Sequence, residues 1–286
     1  MEVCQLQGLS TVIKEYIRLG RPINALAGCI SVFLSAWVVG PHSWTPVITA
    51  AMAVVFITVS SNAWNDYRDL EIDRINKPER PLPVGKIHPR GALVFSVGSA
   101  LLSVLVAVLI SWPAFLIVLG SNVLLYLYSW KLKCSVLFGN ATVAFITALC
   151  FVFGGVAAGD IQPTLMLAVT VFFAIAGREV LKTIADHAGD AKYGCRTIAV
   201  SWGKPVARIF AVSLIVISFA LMIATFFTEQ FSRGYLYLIL LGLFPLFSYS
   251  LFIAKPDAPQ ATIEWASTLM KYGFFIWFLA VLLGAG

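Results

Sequence analysis

Apolar residues gather into nine stretches of the chain, and polar links separate these stretches. A helix needs about 20 consecutive apolar residues to span the hydrocarbon core of a bilayer, and each stretch is close to that length. Proline falls at or just before several of the starts, where its missing N–H costs no hydrogen bond. The pattern predicts an all-α polytopic membrane protein. Its nine transmembrane helices are expected at residues 22–40, 46–65, 91–111, 113–130, 136–158, 163–182, 206–227, 235–254 and 265–284.

Composition supports a membrane location. Of the 286 residues, 59% are hydrophobic and 12% are charged, whereas a soluble domain has about 45–50% apolar and about 25% charged residues. One soluble core cannot bury this excess of apolar surface, so the excess faces lipid. A soluble enzyme, a disordered tail and a collagen are excluded, and residues 1–286 are expected to form a single domain. The five cysteines are odd in number and widely spaced, which predicts reduced thiols rather than disulfides or a zinc site.

The basic residues predict the orientation in the membrane. The links 66–90 and 183–205 are long and charged, and nineteen of the twenty Lys and Arg residues lie on the side that carries these links and the N-terminus. Arg233 alone lies on the other side. By the positive-inside rule, the N-terminus and both long links are cytoplasmic and the C-terminus is outside the cell membrane. The basic charge therefore implies no nucleic acid. Residues 1–21 are expected to form an amphipathic lead-in on the inner surface.

The first long link opens with amide and carboxylate side chains. If the second transmembrane helix continues into it, these residues recur at i, i+3/i+4, i+7 and i+11 and lie along one helix face. They are Asn62, Asn65, Asp66, Asp69 and Asp73. Clustered carboxylates repel one another unless a cation lies among them, and hard oxygen ligands without His or Cys favour Mg²⁺. The cluster therefore predicts a Mg²⁺ site that substrate phosphates complete.

The second long link carries Asp186 and Asp190, again four residues apart, and the predicted topology brings both links to one membrane surface. Cations are interleaved with the acids, so this surface suits a polyanion such as the diphosphate of a lipid whose tail descends between helices. Solvated salt bridges are the alternative for a single cluster, but two clusters with matched spacing favour a binding site. Beside Asn62, the candidate diphosphate-binding residues are Arg74, Lys77, Arg80, Lys131, Lys133, Lys182 and Arg196.

A small-molecule transporter is the alternative from another class of protein. A transporter predicts ionisable residues near the bilayer midplane, and the predicted mid-helix segments hold essentially none. The acidic residues gather at one edge of the bundle instead. This arrangement favours chemistry on an amphipathic substrate at the membrane surface.

The stretch Asn65–Pro81, with Asp186–Asp190 downstream, resembles the motifs of the UbiA superfamily of membrane prenyltransferases. The resemblance spans essentially the whole chain, and residues 76–81, 21–24 and 177–179 are most similar to the enzymes of archaeal ether-lipid synthesis. It implies a UbiA-like helical bundle with a cytoplasmic active site. It also implies Mg²⁺-dependent transfer of a prenyl group, with geranylgeranyl favoured, from its diphosphate to the hydroxyl of geranylgeranylglyceryl phosphate.

The resemblance assigns roles to the motif residues. The catalytic acids would be Asp69, Asp73, Asp186 and Asp190, and Asn65 and Asp66 would join them as Mg²⁺–diphosphate ligands. Beside these, Arg21, Asn24 and Arg178 are candidates for binding the acceptor. The aromatic residues Tyr126, Tyr128 and Trp130 would shield an allylic cation, for which an interfacial aromatic belt is the alternative.

The chain departs from close relatives at Thr183, Ala185 and Ala188, where those relatives often carry acids. This departure leaves an aromatic acceptor, such as 4-hydroxybenzoate, open beside the lipid acceptor. The expected partners are therefore a prenyl diphosphate, a lipid or aromatic acceptor and the membrane lipids. No obligate protein partner is implied.

Overall fold

The computed structural model of the chain describes residues 2–228 and 230–285, which form helices joined by links. The nine helices in these residues that are long and apolar enough to cross a membrane confirm the predicted number of spans. The helices are α1 (Glu2–Gly20), α2 (Pro22–Val39), α3 (Thr45–Arg68), α4 (Leu70–Asn76), α5 (Pro89–Val108), α6 (Trp112–Trp130), α7 (Phe138–Ala158), α8 (Gln162–Ala185), α9 (His187–Lys192), α10 (Ile198–Ser201), α11 (Lys204–Phe226), α12 (Arg233–Tyr237), α13 (Phe244–Ile253) and α14 (Gln260–Gly284).

The eighth span changes its winding within the membrane. It consists of α12, a π-helical segment at Leu238–Leu243 and α13. Pro245 lies in the first turn of α13 and has no N–H to offer to the preceding turn. A π-helical segment is a common way to accommodate such an interruption without ending a helix. The apolar pattern predicts the span but not this local winding.

The chain packs as two compact units. The first contains the residues up to Ile30 and Thr45–Trp130. Here α3 packs against α1, α5 and α6. A small core at the end of this unit joins the turn after α4 to the helices around it. Its buried side chains are Leu19, Ala63, Leu82, Ile87 and Ala92.

The second unit contains Ser31–Trp44 and the chain from Lys131 onwards. Its central helix is α8, which packs against α7, α11 and α14. Glycine allows two close approaches within this unit. A Cβ at Gly154 would lie 2.5 Å from the Val32 carbonyl oxygen, and one at Gly177 would lie 2.9 Å from the Ala211 carbonyl oxygen.

Helix α1 covers the predicted lead-in, except for Met1, which lies outside the described residues. Its apolar residues Val12, Ile13 and Ile17 are exposed. An exposed apolar stripe on a helix next to a membrane bundle suits the surface of a bilayer. The assignment of this helix to the inner membrane surface remains a prediction.

The prediction of reduced thiols is wrong for two cysteines. Cys134 and Cys195 form a disulfide whose Cα atoms lie 4.4 Å apart. Cys29 is a free thiol, as predicted, and the Cys150 thiol donates to the Ile146 carbonyl oxygen at 3.5 Å. The side chain of Cys4 lies outside the described part of the chain. Sequence spacing could not reveal the bond because its two residues belong to links separated by 61 positions, which only folding brings together.

Candidate functional site

The predicted acidic face forms in the first unit. Helix α3 continues past the membrane-length segment, and α4 begins directly after Asp69, so the helical register is nearly maintained. Asn62, Asp66, Asp69 and Asp73 are all buried, with 2–8% of each residue exposed. Positions at i, i+4, i+7 and i+11 share one face of a helix, and this face is turned inward. Carboxylates are almost never buried unless they are paired.

Arg80 is one of the cations that neutralise this face. Its Nη1 donates to Asp73 at 2.6 Å and to Asp66 at 3.0 Å. The turn after α4 brings it there because Leu82 and Ile87 are buried in the core of the first unit. Gly85, with a φ of +77°, allows the turn to close, since this conformation is strained for residues with a Cβ. Arg80 therefore holds two acids together.

Arg21 is the second cation on the acidic face, and it lies at the junction of α1 and α2. It pairs with Asp66 through Nη2. Its φ of +52° makes it the only non-glycine residue with positive φ in the described chain. Such conformations cost free energy and persist where surrounding contacts enforce them. The Asn62 amide fixes the same junction by donating to the Gly20 carbonyl oxygen at 3.0 Å.

Asn65 connects the acidic face to the end of α6. Its side-chain amide donates to Asp69 at 3.0 Å, and its carbonyl oxygen lies 3.4 Å from the Ser129 hydroxyl, which donates to it. The neighbouring Trp64 stacks on Tyr126 with ring centroids 4.8 Å apart. Trp64 and Ser129 were not among the site residues predicted from the sequence. The signal for Trp64 was its place between Asn62 and Asn65 in the motif.

The predicted cation-shielding residues fall in different surroundings. The Tyr126 hydroxyl lies 2.6 Å from the Ser96 hydroxyl and 3.1 Å from the Ser60 hydroxyl. It therefore joins α6 to α3 and α5. Tyr128 is half-buried, and Trp130 is 63% exposed. For Trp130 this exposure favours the aromatic-belt interpretation.

The second acidic pair lies in the second unit, at the end of α8. Asp186 is exposed at the junction of α8 and α9, and Asp190 is half-buried one turn later. Burial raises the pKa of the Asp190 carboxyl, and the Asp186 carboxylate acts in the same direction, whereas the Lys133 ammonium lowers it. The disulfide holds the Lys133 link against the chain after α9, where the Arg196 N–H also donates to the Cys134 carbonyl oxygen at 2.9 Å.

The cations in α8 are engaged with neighbours. Arg178 donates through Nε to the Ser267 carbonyl oxygen of α14 at 3.0 Å and through Nη1 to Glu179 at 2.9 Å. Lys182 donates to the other Glu179 oxygen at 2.9 Å. Glu179 therefore orders both cations. Arg178 also joins α8 to α14, a function that its place in the motif did not indicate.

Several predicted binding residues lie on exposed surface. Arg74 pairs with Glu71 at 2.9 Å on the exposed side of α4, so the structure does not bring it to the buried acidic face. The other exposed members are Asn24, Lys77, Lys131, Lys133 and Arg196. The first unit thus gathers Arg21, Arg80 and the acidic face, and the second unit gathers Lys133 with Asp186 and Asp190.

The oxygen ligands fit the kind of Mg²⁺ site that water and phosphate oxygens complete. Across residues 2–228 and 230–285, no three Asp, Glu, His or Cys side chains lie close enough together to enclose a metal. At phosphate sites, however, Mg²⁺ is held by one or two carboxylates and is completed by water and phosphate oxygens. Asp69 with Asn65, and Asp190 with Asp186, offer such sparse oxygen sets. The donor chemistry fits a Mg²⁺ ion shared with a diphosphate.

Membrane-length helices carry clustered acids and bases at the ends of α3 and α8, an arrangement that suits an intramembrane enzyme. The sequence profile of the UbiA prenyltransferase family matches residues 25–279. The chain therefore belongs to this family, which confirms the predicted fold and enzyme class.

Among curated relatives, the digeranylgeranylglyceryl phosphate synthase of Methanothermobacter thermautotrophicus is 32% identical over 274 residues, which cover 96% of this chain and 97% of the relative. The enzyme of the same name from Methanosphaera stadtmanae is 34% identical over 96% of this chain and 100% of its own. Both alignments run nearly end to end. The resemblance to the archaeal ether-lipid branch is confirmed.

Solved structures share the fold. One that concerns digeranylgeranylglyceryl phosphate synthase in membranes superimposes with a TM-score of 0.80 at 30% identity, covering 96% of this chain and 98% of the other. A UbiA homologue from Archaeoglobus fulgidus bound to GPP and Mg²⁺ gives a TM-score of 0.72 at 22% identity, covering 92% and 99%. The second likeness is one of fold alone.

Proposed function

We propose that the chain transfers a geranylgeranyl group from its diphosphate to the hydroxyl of geranylgeranylglyceryl phosphate, a step of archaeal ether-lipid synthesis. The observation that carries the proposal is the buried acidic face at the end of α3, held by Arg21 and Arg80. A face of this kind suits a diphosphate that arrives with divalent cations. The near end-to-end likeness to digeranylgeranylglyceryl phosphate synthases supports this acceptor.

In this proposal, each acidic cluster offers oxygen ligands for Mg²⁺ and a diphosphate. Asn65, Asp69 and Asp73 would hold Mg²⁺ in the first unit, and Asp186 and Asp190 would do so in the second. When bound, Mg²⁺ would stabilise the negative charge of the leaving diphosphate. The A. fulgidus homologue bound to GPP and Mg²⁺ supports a prenyl diphosphate donor.

Basic residues of the chain position the acids and neutralise the charge of the diphosphate. Arg21 and Arg80 both pair with Asp66, and Arg80 also holds Asp73 in place, so Asp66 acts mainly through these arginines. Lys133 beside Asp190 is placed to take up charge from the leaving diphosphate. Preorganised charges of this kind lower the barrier because they need no rearrangement during the reaction.

The proposed transfer breaks one bond of the donor and forms one bond to the acceptor. The bond between the allylic carbon and the diphosphate oxygen breaks, and its electron pair leaves with the diphosphate. The acceptor hydroxyl oxygen then bonds to that carbon and releases its proton. The surrounding apolar helices keep water from competing with the acceptor.

Two of the three departures at the second motif concern packing, whereas the third, Ala188, is exposed. Thr183 and Ala185 are buried in α8, at 6% and 7% exposure. Their side chains therefore belong to the helix packing of the second unit, and Asp186 and Asp190 remain as the acidic pair.

We further propose that the active side faces the cytoplasm of the cell membrane, with the C-terminus outside. The distribution of Lys and Arg supports this orientation.

A transfer assay in liposomes tests the proposed reaction. Radiolabelled geranylgeranyl diphosphate is offered with Mg²⁺ or with EDTA, and with either geranylgeranylglyceryl phosphate or 4-hydroxybenzoate. Labelled digeranylgeranylglyceryl phosphate that forms only with Mg²⁺ is the expected product. Transfer to the aromatic acid alone would contradict the acceptor, and transfer to neither by a folded protein would contradict the reaction.

A further inference from the structure

A charged side chain lies deep in the last transmembrane span. Helix α14 contains 25 residues, and Lys271 is the twelfth of them. At about 1.5 Å per residue, the helix is ~37 Å long, against a hydrocarbon core of about 30 Å. Even if all of the excess length projects at the N-terminal end, the Lys271 backbone lies ~9 Å inside the core. The prediction that mid-helix segments hold essentially no charge is therefore wrong for this helix.

Lys271 continues a polar stripe. Gln260, Glu264, Thr268 and Lys271 recur at i, i+4, i+8 and i+11, so they share one side of α14. The opposite side packs into the second unit through Ile263, Met270 and Trp277. Ionisable residues inside membrane spans face a bundle interior or a watery cavity rather than lipid. Lys271 is exposed on this side of α14, where it is open to a ligand.

The lysine lacks a counter-charge of its own. The nearest acid on the stripe, Glu264, accepts a hydrogen bond from Gln260 at 2.8 Å. Within the part of the chain that the structure describes, the Lys271 ammonium has no hydrogen bond or ion pair. Lysines near helix ends can extend to the membrane surface, but Lys271 is eleven residues from one end of α14 and thirteen from the other. An anion that binds here would supply the missing charge.

Two other candidate cations for the acceptor are already occupied. Arg21 pairs with Asp66, and Arg178 binds the Ser267 carbonyl oxygen and Glu179.

The contact between Arg178 and Ser267 gives the depth of Lys271 relative to Asp186. Ser267 lies one turn before Lys271 on α14, and Arg178 lies eight residues before Asp186 on α8. As the sixth and ninth spans, α8 and α14 cross the membrane in opposite directions. Lys271 is therefore ~18 Å deeper than Asp186 along the helix axes.

From this placement we infer that Lys271 binds the acidic headgroup of the acceptor, a phosphate under the proposed function. At this depth its side chain lies below the level proposed for the donor diphosphate, where a second anion would bind. The assignment rests on the proposed function for the identity of that anion. It adds a specificity residue on α14, far in sequence from both Asp-bearing motifs.

Replacing the lysine tests the inference. Lys271→Met removes the charge and keeps an unbranched side chain of similar length. We expect the KM for geranylgeranylglyceryl phosphate to rise about tenfold or more, because a charge-assisted hydrogen bond is lost. The KM for geranylgeranyl diphosphate should stay within about twofold. Lys271→Arg should restore most of the acceptor affinity.

The matched control is Lys255→Met, in the link before α14, where the ammonium lies 5.4 Å from the Phe252 ring centroid.

A phosphate-free acceptor separates charge recognition from packing. Geranylgeranylglycerol should be used equally by the wild type and by Lys271→Met. An unchanged KM for the phosphorylated acceptor, or an equal loss with both acceptors, would overturn the inference. Lys271→Gln serves in the same comparison if the Met variant does not insert.

Equilibrium binding of geranylgeranylglyceryl phosphate to the detergent-solubilised protein distinguishes a failure of the proposed function from a failure of the Lys271 inference. If the wild type binds this lipid without transferring to it, the proposed function fails, and weaker binding by Lys271→Met still supports the inference. If the wild type neither binds nor uses it, both fail.

Discussion

At the scale of single residues, the acidic face depends on the arginines that neutralise it. Arg80 is 18% exposed and contacts two carboxylates that are each at most 6% exposed. Replacing it by Met would leave buried charge uncompensated, which destabilises proteins by about 3–5 kcal/mol. We expect the free energy of unfolding of Arg80→Met, measured by denaturant titration in detergent, to fall by that amount.

The matched control for Arg80 is Arg74, which pairs with the exposed Glu71. Exposed ion pairs contribute about 0–1 kcal/mol. Arg74→Met should therefore unfold almost as the wild type does. Equal loss of stability in the two variants would show that Arg80 does not hold the acidic face together.

The second prediction at this scale concerns turnover. Asp69→Asn and Asp190→Asn keep the side-chain shape and remove one carboxylate from each acidic cluster. We expect each to lower kcat by about a hundredfold or more, the range seen when a charge-stabilising group is removed from an active site. Mg²⁺-dependent transfer in liposomes measures the change.

Glu71→Gln is the control for these two variants, because Glu71 is an exposed acid on the same motif. Its turnover should match that of the wild type. If Asp69→Asn or Asp190→Asn also retained full turnover, that residue would have no place in diphosphate binding.

Periodicity predicts the acidic face but not its partners. The i, i+4, i+7 and i+11 spacing is a local property of α3 and α4, so the sequence indicates which acids share a face. The pairing of Asp66 with Arg21 and Arg80 crosses 45 and 14 positions. It depends on how the turn after α4 buries Leu82 and Ile87, and no local pattern encodes that geometry.

At the scale of elements, close helix approach depends on glycine. In the second unit, a Cβ at Gly154 in α7 would meet the Val32 carbonyl oxygen of α2 at 2.5 Å. Backbone cannot retreat as a flexible side chain can, so Gly154→Ala should lower the unfolding free energy by about 1–3 kcal/mol. Thermal unfolding in detergent would report it as a lower Tm.

Gly98 in α5 provides the comparison, because a Cβ there meets no atom within 4 Å. Alanine is a better helix former than glycine, and Gly98→Ala should be neutral or raise stability by up to about 1 kcal/mol. A Tm for Gly154→Ala at or above that of Gly98→Ala would contradict the close approach of the two helices.

The disulfide leads to a further prediction at this scale. It ties the link before α7 to the chain after α9, and Lys133 lies beside Asp190 at that tie. Cys195→Ser should raise the KM for the prenyl diphosphate, because the Lys133 link is then free to move away. Cys150→Ser, within α7, is the control. An unchanged donor KM in Cys195→Ser would contradict a positioning role for the bond.

Spans are easier to predict than links. Nine stretches of apolar residues predict nine helices because a bilayer selects for length and hydropathy alone. The π-helical segment at Leu238–Leu243 and the bond between Cys134 and Cys195 depend on tertiary contacts and local strain. The charge at Lys271 was visible in the sequence, but only the structure shows that α14 begins at Gln260, eleven residues before it.

At the scale of the whole molecule, the predicted orientation rests on charge. Apart from Lys271 within α14 and Arg233, the Lys and Arg residues lie at or towards the side of the N-terminus and the two Asp-bearing links, and nine spans are expected to put the C-terminus on the other side. We expect alkaline phosphatase fused to the C-terminus in bacterial cells to be active, since this reporter matures only outside the cytoplasm. Green fluorescent protein at the same point should remain dark.

Fusions in the link between α13 and α14 serve as the control, because this link follows eight spans and carries Lys255. There the fluorescent protein should mature and the phosphatase should be inactive. The reverse result at both points would put the acidic clusters outside the cell. A diphosphate supplied from the cytoplasm would then have to cross the bilayer to reach Asp69 and Asp190, which is costly for a charged group.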